Sequence, residues 1–167
     1  HRMAELRRDP YLNTPVHIVP SRQLRPNLPS AGCPFCVGGL EAPEPYTVKA
    51  FPNRWPALGD GNCEVVLYSP RHDAAFHELG AGGVRKVIDL WAERTTALLA
   101  RLGTEYVMVF ENRGAEVGAT ISHPHGQIYA YPYVPPTARL LQEQLMRQVE
   151  MGLHRSKDAA QTLQERL

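Results

Sequence analysis

The feature that most constrains this chain is a five-residue run with two histidines, His123-Pro124-His125-Gly126-Gln127. Proline fixes its own φ near −65° and has no N–H, so it stiffens the spacing between the two imidazoles. Imidazole is nucleophilic near neutral pH and is also a common metal ligand. Two imidazoles held rigidly apart predict a functional site. The alternative interpretation is a pair of ordinary structural histidines.

A second motif lies upstream, in the segment Gly32-Cys33-Pro34-Phe35-Cys36-Val37-Gly38-Gly39. A Cys-x-x-Cys turn flanked by glycines is typical of the thiolate half of a zinc site. A redox pair usually begins a helix that follows a strand. Here a proline lies inside the pair and two glycines follow it, which disfavours a helix. The pattern therefore favours a metal site over a redox pair or a surface turn. Cys63 has no partner at ligand spacing and is interpreted as a core or loop residue.

Composition excludes several classes of protein. The chain has 167 residues, of which 43% are hydrophobic and 21% charged, and these are ordinary values for a soluble globule of about one domain. A net charge of +1 gives no field that would attract nucleic acid or a membrane surface. We therefore expect no nucleic-acid or membrane partner. The start of the chain, His1-Arg2-Met3, does not resemble a signal peptide. The chain has three cysteines, two of them in the Cys33-Pro34-Phe35-Cys36 turn, which we call the knuckle. This count predicts a reducing compartment, the cytoplasm.

Local patterns predict an α+β fold. Strands are predicted at residues 16–19, 46–51, 64–68, 106–110 and 128–131. Apolar residues recur at spacings of three and four over residues 83–102, which predicts a helix, and Gly103 follows where a helix would stop. Further helices are predicted at 137–152 and, more polar, at 157–167. Strands joined by loops, with one long helix, indicate an antiparallel sheet covered by helices.

Two more segments complete a recognisable order. Ser69-Pro70-Arg71-His72 follows a strand, and Phe110-Glu111-Asn112-Arg113-Gly114 lies between another strand and the paired histidines. Together with the two motifs above, they resemble the N-terminal half of galactose-1-phosphate uridylyltransferases, the transferase branch of the histidine-triad superfamily. That branch carries glutamine where the hydrolases carry a further histidine, and Gln127 fits the transferase side. The resemblance runs from about Arg7 to about Arg139 and implies a histidine-triad-like sheet.

The resemblance implies a zinc cofactor with four protein ligands, Cys33, Cys36, His72 and His123. Four protein ligands leave the metal no open position, so we expect a structural ion rather than a Lewis acid. Anchoring His123 would fix the backbone from which His125 projects. The carbonyl oxygen of His123 could then accept a hydrogen bond from one ring nitrogen of His125 and leave the other nitrogen free. Iron or an empty site is the alternative to zinc.

The resemblance also assigns the chemistry to His125 and Gln127. His125 would attack the α-phosphorus of a UDP-sugar and form a uridylyl–imidazole intermediate, which divides one displacement into two easier ones. The amide of Gln127 would donate a hydrogen bond to an α-phosphate oxygen without adding charge. Further substrate contacts are implied at Arg22, Arg25, Asn53, Asn112 and Thr120. Arginine suits phosphate because its planar fork offers paired donors. Arg54 replaces an acidic residue that some members have, which puts a ribose contact there in doubt.

Three functions remain open at this stage. The first is transfer of UMP between UDP-glucose and galactose 1-phosphate, and the second is an ADP- or UDP-sugar phosphorylase that uses the same histidine. The third is a non-catalytic, zinc-stabilised domain that binds a nucleotide or a partner chain. The expected partners are a UDP-sugar and a sugar 1-phosphate, with a homodimer or a separate second half. Residues 1–152 are expected to form the domain, and residues 153–167 a polar helix or the remnant of a second half.

Overall fold

The computed structural model describes residues 4–25, 32–59, 61–117 and 121–164. The chain divides into two compact units, His1–Tyr133 and Val134–Leu167. In the described part of the first unit the chain order is β1 (Glu5–Arg8), β2 (Pro15–Ile18), β3 (Lys49–Pro52), β4 (Cys63–Leu67), α1 (Gly80–Leu99), β5 (Tyr106–Phe110) and β6 (His125–Tyr131). Short 3-10 turns lie at Pro20–Leu24, Phe76–Leu79 and Ala115–Val117.

The strands form two antiparallel sheets. Strands β1 and β2 make a two-stranded ribbon, and the other four make a sheet in the order β3-β4-β6-β5. The predicted α+β fold with an antiparallel sheet is therefore confirmed. The ribbon was not fully predicted, because β1 is an exposed run of mostly charged residues with no apolar alternation. Its pairing with β2 rests on backbone hydrogen bonds, which any sequence can supply.

Strand β6 carries the paired-histidine motif into the sheet. The prediction began this strand at residue 128, but the ladder starts at His125, which lies opposite Leu67 on β4. Burial alternates along the strand, and the buried set is Gly126, Ile128 and Ala130. Since successive side chains point to opposite faces of a sheet, His125 and Gln127 share the other face.

Two apolar clusters hold the two faces of the sheet. On one face, Val87 and Leu98 of α1 pack against the sheet together with Val66, Tyr68, Ile128 and Ala130. On the other face, Phe35 and Ala42 pack against Val65 and Leu67. Fully burying one side chain of this kind stabilises the fold by roughly 1.5–3 kcal/mol. The second cluster therefore fixes the cysteine knuckle against the strand that neighbours β6.

An ion pair also ties α1 to the sheet. Glu64 is the second residue of β4 and is 7% exposed. Its two carboxylate oxygens accept hydrogen bonds from Nη2 and Nε of Arg94 at 2.7 and 2.9 Å. A bidentate pair of this geometry satisfies the buried carboxylate and sets the direction of the helix across the strands.

Helix boundaries differ from the predicted ones. Helix α1 runs from Gly80 to Leu99 rather than over 83–102, and Leu102 is fully exposed. The chain then turns through Gly103, whose φ is +85°. Apolar spacing marks the face of a helix but not its caps, so the ends were misplaced by three residues. The third strand likewise begins at Lys49, not at residue 46.

The second unit consists of α2 (Pro136–Gln164). The sequence predicted separate helices at 137–152 and 157–167, but one helix continues through Gly152. A single glycine costs a helix only about 1 kcal/mol, and strong helix formers flank it. The domain limits 1–152 and 153–167 stay a prediction. Over the described residues, neither α1 nor α2 combines the length and hydropathy that crossing a bilayer requires.

Candidate active site and metal centre

Four side chains from three segments meet just before the start of β6. The ligand atoms of Cys33, Cys36, His72 and His123 all lie within 4.8 Å of one another. His123 Nδ1 is 3.7 Å from Cys33 Sγ and 3.6 Å from Cys36 Sγ, and His72 Nδ1 is 3.4 Å from Cys36 Sγ. Typical zinc–sulfur and zinc–nitrogen bonds at tetrahedral angles place sulfur and nitrogen about 3.6 Å apart. The donor set therefore fits one tetrahedral ion.

The buried His123 of this cluster is also held from the side of the ring opposite Nδ1. It is 0% exposed, and burial lowers its pKa, which favours the neutral ring that a metal requires. Its Nε2 lies 2.8 Å from the carbonyl oxygen of Ser69 and donates to it, so Nδ1 is left without a proton. The hydroxyl of Tyr46 lies 3.0 Å from the same Nε2 and donates to the carbonyl of Phe35 at 2.7 Å. Burial first, and then the nearby thiolates, raise the pKa of Tyr46 to about 12.

His125 is oriented by the main chain of its neighbour. Its Nδ1 lies 2.7 Å from the carbonyl oxygen of His123 and donates to it. This hydrogen bond selects the tautomer in which Nε2 has a free lone pair. Burial lowers the pKa of His125, while the carbonyl and the charge of Glu111 act in the opposite direction. The ring of Phe35 contacts His125 edge-on at 5.0 Å between centroids. The imidazole is therefore rigid, mostly unprotonated near neutral pH and nucleophilic at Nε2.

A cavity of about 840 Å³ opens on the face of the sheet that carries His125 and Gln127. Three aromatic rings and three polar or cationic side chains contribute to its walls, namely Phe35, Phe51, Trp55, Arg25, Asn53 and Arg54. Apolar walls with a few polar groups are typical of a site for a small organic ligand.

Two of the predicted substrate residues are engaged with Trp55. Arg22 donates from Nη1 to the carbonyl oxygen of Trp55 at 2.8 Å, and it is not among the described residues that line the cavity. Asn53 lines the cavity, but its Oδ1 accepts the backbone N–H of Trp55 at 2.8 Å. Both residues therefore shape the loop that presents Trp55. Arg25 lines the cavity itself.

A second cavity, of about 400 Å³, lies on the other side of His125. Asn112 lines it, together with Glu111 and Arg113. His125 thus lines both cavities. Thr120 lies outside the described residues, so its predicted contact is a matter for experiment.

The sequence did not single out several residues that complete this site. Tyr46 reaches His123 across 77 positions, and no local pattern indicates such a contact. Phe35 lies inside the knuckle, and its position between the two cysteines was the available signal. The Phe110–Gly114 motif alone assigns no role to Glu111. Tyr68 directly follows β4, and the apolar run that precedes it indicates only a strand.

Comparison with known proteins identifies relatives of this arrangement. The family described as galactose-1-phosphate uridyl transferase, N-terminal domain, matches residues 46–135. A galactose-1-phosphate uridylyltransferase of Thermotoga maritima is 39% identical over 80% of this chain and 48% of its own length. One from Streptomyces lividans is 44% identical over 83% of this chain and 41% of its own length.

A relative with a different activity also matches. An ADP-glucose phosphorylase of Arabidopsis thaliana is 30% identical over 80% of this chain and 50% of its own length. Among solved structures, a uridylyltransferase superposes with a TM-score of 0.75 and 28% identity, covering 90% of this chain and 53% of that one. The chain therefore spans about half the length of the curated relatives that it matches.

Proposed function

Since this chain belongs to the galactose-1-phosphate uridyl transferase family, we propose that it moves UMP between UDP-glucose and galactose 1-phosphate through a covalent intermediate on His125. One observation carries the proposal: His125 Nδ1 donates to the carbonyl of His123 at 2.7 Å. That contact leaves Nε2 unprotonated on a ring that lines both cavities. A nucleophile needs this combination of a free lone pair and a fixed direction.

The reaction has two displacement steps. In the first, the lone pair of His125 Nε2 attacks the α-phosphorus of UDP-glucose, and the bond to the bridging oxygen breaks, releasing glucose 1-phosphate. Nδ1 keeps its proton throughout, and that proton stays hydrogen-bonded to the carbonyl oxygen of His123. In the second step, a phosphate oxygen of galactose 1-phosphate attacks the same phosphorus, and the bond to Nε2 breaks, which forms UDP-galactose and restores the neutral imidazole.

Gln127 and Arg25 provide the polar contacts for the transferred group. Both line the larger cavity with His125. The amide of Gln127 would donate to a non-bridging α-phosphate oxygen, and Arg25 would offset the charge of the diphosphate. We assign Arg22 and Asn53 an indirect part in binding, since both hold the loop of Trp55. Asn112 would bind phosphate from the smaller cavity.

We assign the ion of the Cys33, Cys36, His72 and His123 cluster as zinc, because two thiolates and two imidazoles are a preferred set for that metal. When bound, zinc would supply a structural crosslink between the knuckle and the start of β6, with no position open for a substrate. Its contribution to the chemistry would be the fixed carbonyl of His123. The free thiols also favour a reducing compartment, for which we propose the cytoplasm.

The covalent step is the decisive test. The protein is mixed with UDP-glucose without an acceptor, quenched rapidly, and analysed by intact mass and peptide mapping. We expect one UMP on His125, labile in acid and discharged by galactose 1-phosphate. His125→Gly should abolish the adduct and retain the metal, whereas the exposed His77→Gly serves as the matched control and should keep the adduct. An adduct on another residue, or one that survives in His125→Gly, would refute the mechanism.

A nucleotide-sugar phosphorylase is the second candidate, because a relative at 30% identity carries that name. The two functions share the first step and differ in the acceptor. Discharge of the adduct by inorganic phosphate, but not by galactose 1-phosphate, would favour the phosphorylase. Offering ADP-glucose in place of UDP-glucose tests the base at the same time.

We further propose that the working form is a homodimer or a complex with a separate second half, acting on a UDP-sugar and a sugar 1-phosphate. Leu141, Leu145, Val149 and Leu153 support an association of this kind, since they follow one another at four-residue spacing on α2 and are each more than half exposed. Light scattering coupled to size-exclusion chromatography measures the mass in solution. A monomer that completes the transfer alone would contradict this part of the proposal.

A further inference from the structure

We infer that the Glu111 carboxylate, held in place by the Tyr68 hydroxyl, stabilises the positive charge that the His125 ring gains when it carries UMP. This inference rests on the proposed function and adds an electrostatic partner and a positioning residue to it. It begins with the absent side chain of Gly126.

Gly126 leaves a space that the Tyr68 hydroxyl fills. A Cβ built on Gly126 would overlap the hydroxyl oxygen of Tyr68, and it would lie 3.0 Å from Cζ and 3.1 Å from the carbonyl oxygen of Phe110. Tyr68 therefore passes directly beneath the residue that separates His125 from Gln127. The strand can hold this close contact only because position 126 has no side chain.

Tyr68 is itself immobile. It is 2% exposed, and its ring packs edge-on against Phe76 and Trp91 at 5.5 and 5.9 Å between centroids. Its hydroxyl makes a hydrogen bond with Glu111, and burial followed by the Glu111 charge raises the pKa of Tyr68. The hydroxyl thus stays protonated and donates to the carboxylate. Such a bond to a charged acceptor from a rigid donor fixes where the negative charge lies.

Glu111 lies beside the nucleophile. It follows β5 directly and lines the smaller cavity together with His125. Because both side chains line one cavity, the Glu111 carboxylate attracts a positive charge on the His125 ring. Arg113 lines the same cavity, so a cation is at hand for the phosphate that Glu111 would otherwise repel. The cavity therefore contains a carboxylate that can offset the positive His125 ring and a guanidinium that can offset the negative phosphate.

The covalent step creates the charge that Glu111 is placed to offset. When the Nε2–phosphorus bond forms, Nδ1 keeps its proton and still donates it to the carbonyl oxygen of His123. The ring then has substituents on both nitrogens and carries one positive charge until the second displacement removes UMP. Glu111 is exposed, so its attraction for this charge is moderated by solvent, but a carboxylate already held in the cavity needs no reorganisation when the charge forms. Glu111 should therefore shift the first half-reaction towards the adduct.

The test measures the equilibrium constant of that half-reaction with the metal-loaded protein. The protein is held with UDP-glucose, and glucose 1-phosphate is added in increasing amounts. Each mixture is quenched, and intact mass spectrometry gives the ratio of adduct to unmodified protein. The ratio is normalised to the fraction of chains that excess UDP-glucose modifies without added glucose 1-phosphate, so misfolded molecules do not enter it. Glu111→Gln should lower the constant about tenfold, the effect of losing about 1.4 kcal/mol of charge stabilisation. Glu116→Gln, an exposed residue outside the cavity, is the matched control and should leave it unchanged.

Two further variants separate positioning from general damage. Tyr68→Phe keeps the ring and should lower the constant about threefold, but it should add nothing in the Glu111→Gln background if it acts through Glu111. Glu111→Asp restores the charge and should recover part of the loss. A constant within twofold of the wild type in Glu111→Gln would overturn this inference alone. Absence of any His125 adduct in the wild type would instead overturn the proposed function, and this inference with it.

Discussion

Replacing Gly126 with alanine tests how tightly the site is built. The new Cβ would overlap the Tyr68 hydroxyl and crowd Cζ at 3.0 Å and the Phe110 carbonyl at 3.1 Å. None of these atoms is the end of a flexible side chain, so the strand itself must move. Overpacking of this kind typically costs about 1–3 kcal/mol. The lower entropy of the unfolded alanine chain returns about 0.4–1 kcal/mol. We expect Gly126→Ala to lower the free energy of unfolding by about 1–2 kcal/mol.

The expected shift is measurable by thermal unfolding. For a chain of this size, 1 kcal/mol corresponds to roughly 2–4 °C in Tm, so Gly126→Ala should unfold about 2–8 °C lower. The rate of UMP transfer to His125 should fall at least about tenfold, since a displaced nucleophile loses alignment steeply. Tyr68→Phe in the same chain removes the hydroxyl overlap and should recover part of the Tm.

Gly82→Ala is the matched control for this substitution. Gly82 lies in the first turn of α1, and a Cβ there meets no atom within 4 Å. The same chemical change should therefore leave the Tm unaltered or raise it, by about 0.5 kcal/mol of helix stability. If both alanines shift the Tm in the same direction, or if Gly126→Ala transfers UMP at the wild-type rate, the close contact with Tyr68 is not a constraint on the site.

Three other predictions concern the ion pair, the metal and alkaline pH. Arg94→Ala should destabilise the fold by about 3 kcal/mol because it leaves the buried Glu64 carboxylate without its partner. Glu64→Ala should cost less, since Arg94 can turn to solvent. Urea unfolding measures both changes, and the reverse order would contradict the assignment. Cys36→Ser should lose the metal and His125→Gly should retain about one zinc per chain by elemental analysis; a metal-free wild type, purified without chelator, would rule out the centre. Burial and neighbouring tyrosines raise the pKa of Tyr131 from 10.0 to about 12. The unfolded chain therefore loses this proton first, and the stability contributed by Tyr131 falls as pH rises from 10.0 to about 12. The tyrosinate absorbance of Tyr131 should titrate at a higher pH in the native protein than in the unfolded chain.

The order of the motifs predicted which candidate metal ligands lie together, whereas apolar periodicity misplaced the ends of some elements. The four proposed metal ligands came from motif order, and the structure brings their donor atoms within 4.8 Å of one another. Motifs of this kind encode chemistry in adjacent residues, so they can be read from a line of sequence. The contact between Tyr46 and His123 spans 77 positions and depends on how β4 and β6 pair, which no local pattern contains.

Boundaries and indirect contacts were harder to predict for the same reason. Arg22 was expected to contact phosphate, but its guanidinium donates to the Trp55 carbonyl. A cation near a predicted site can serve the ligand or the loop around it, and only the folded chain distinguishes the two. The proposed role of Glu111 depends on Tyr68 and Gly126, which lie in two other segments of the chain, so no local pattern indicates it.

The separation of the proposed metal ligands along the chain has a consequence for how the protein matures. Cys33 and His123 are 90 positions apart, and β4 must pair with β6 before their donor atoms can meet. Closing so long a loop is slow and belongs to the late part of folding. Tight metal uptake should therefore lag behind the formation of α1, and the order of the two events can be followed by stopped-flow fluorescence with a zinc indicator. A nascent chain would hold only the knuckle, with half of its ligands, so the nucleophile would gain its orientation last.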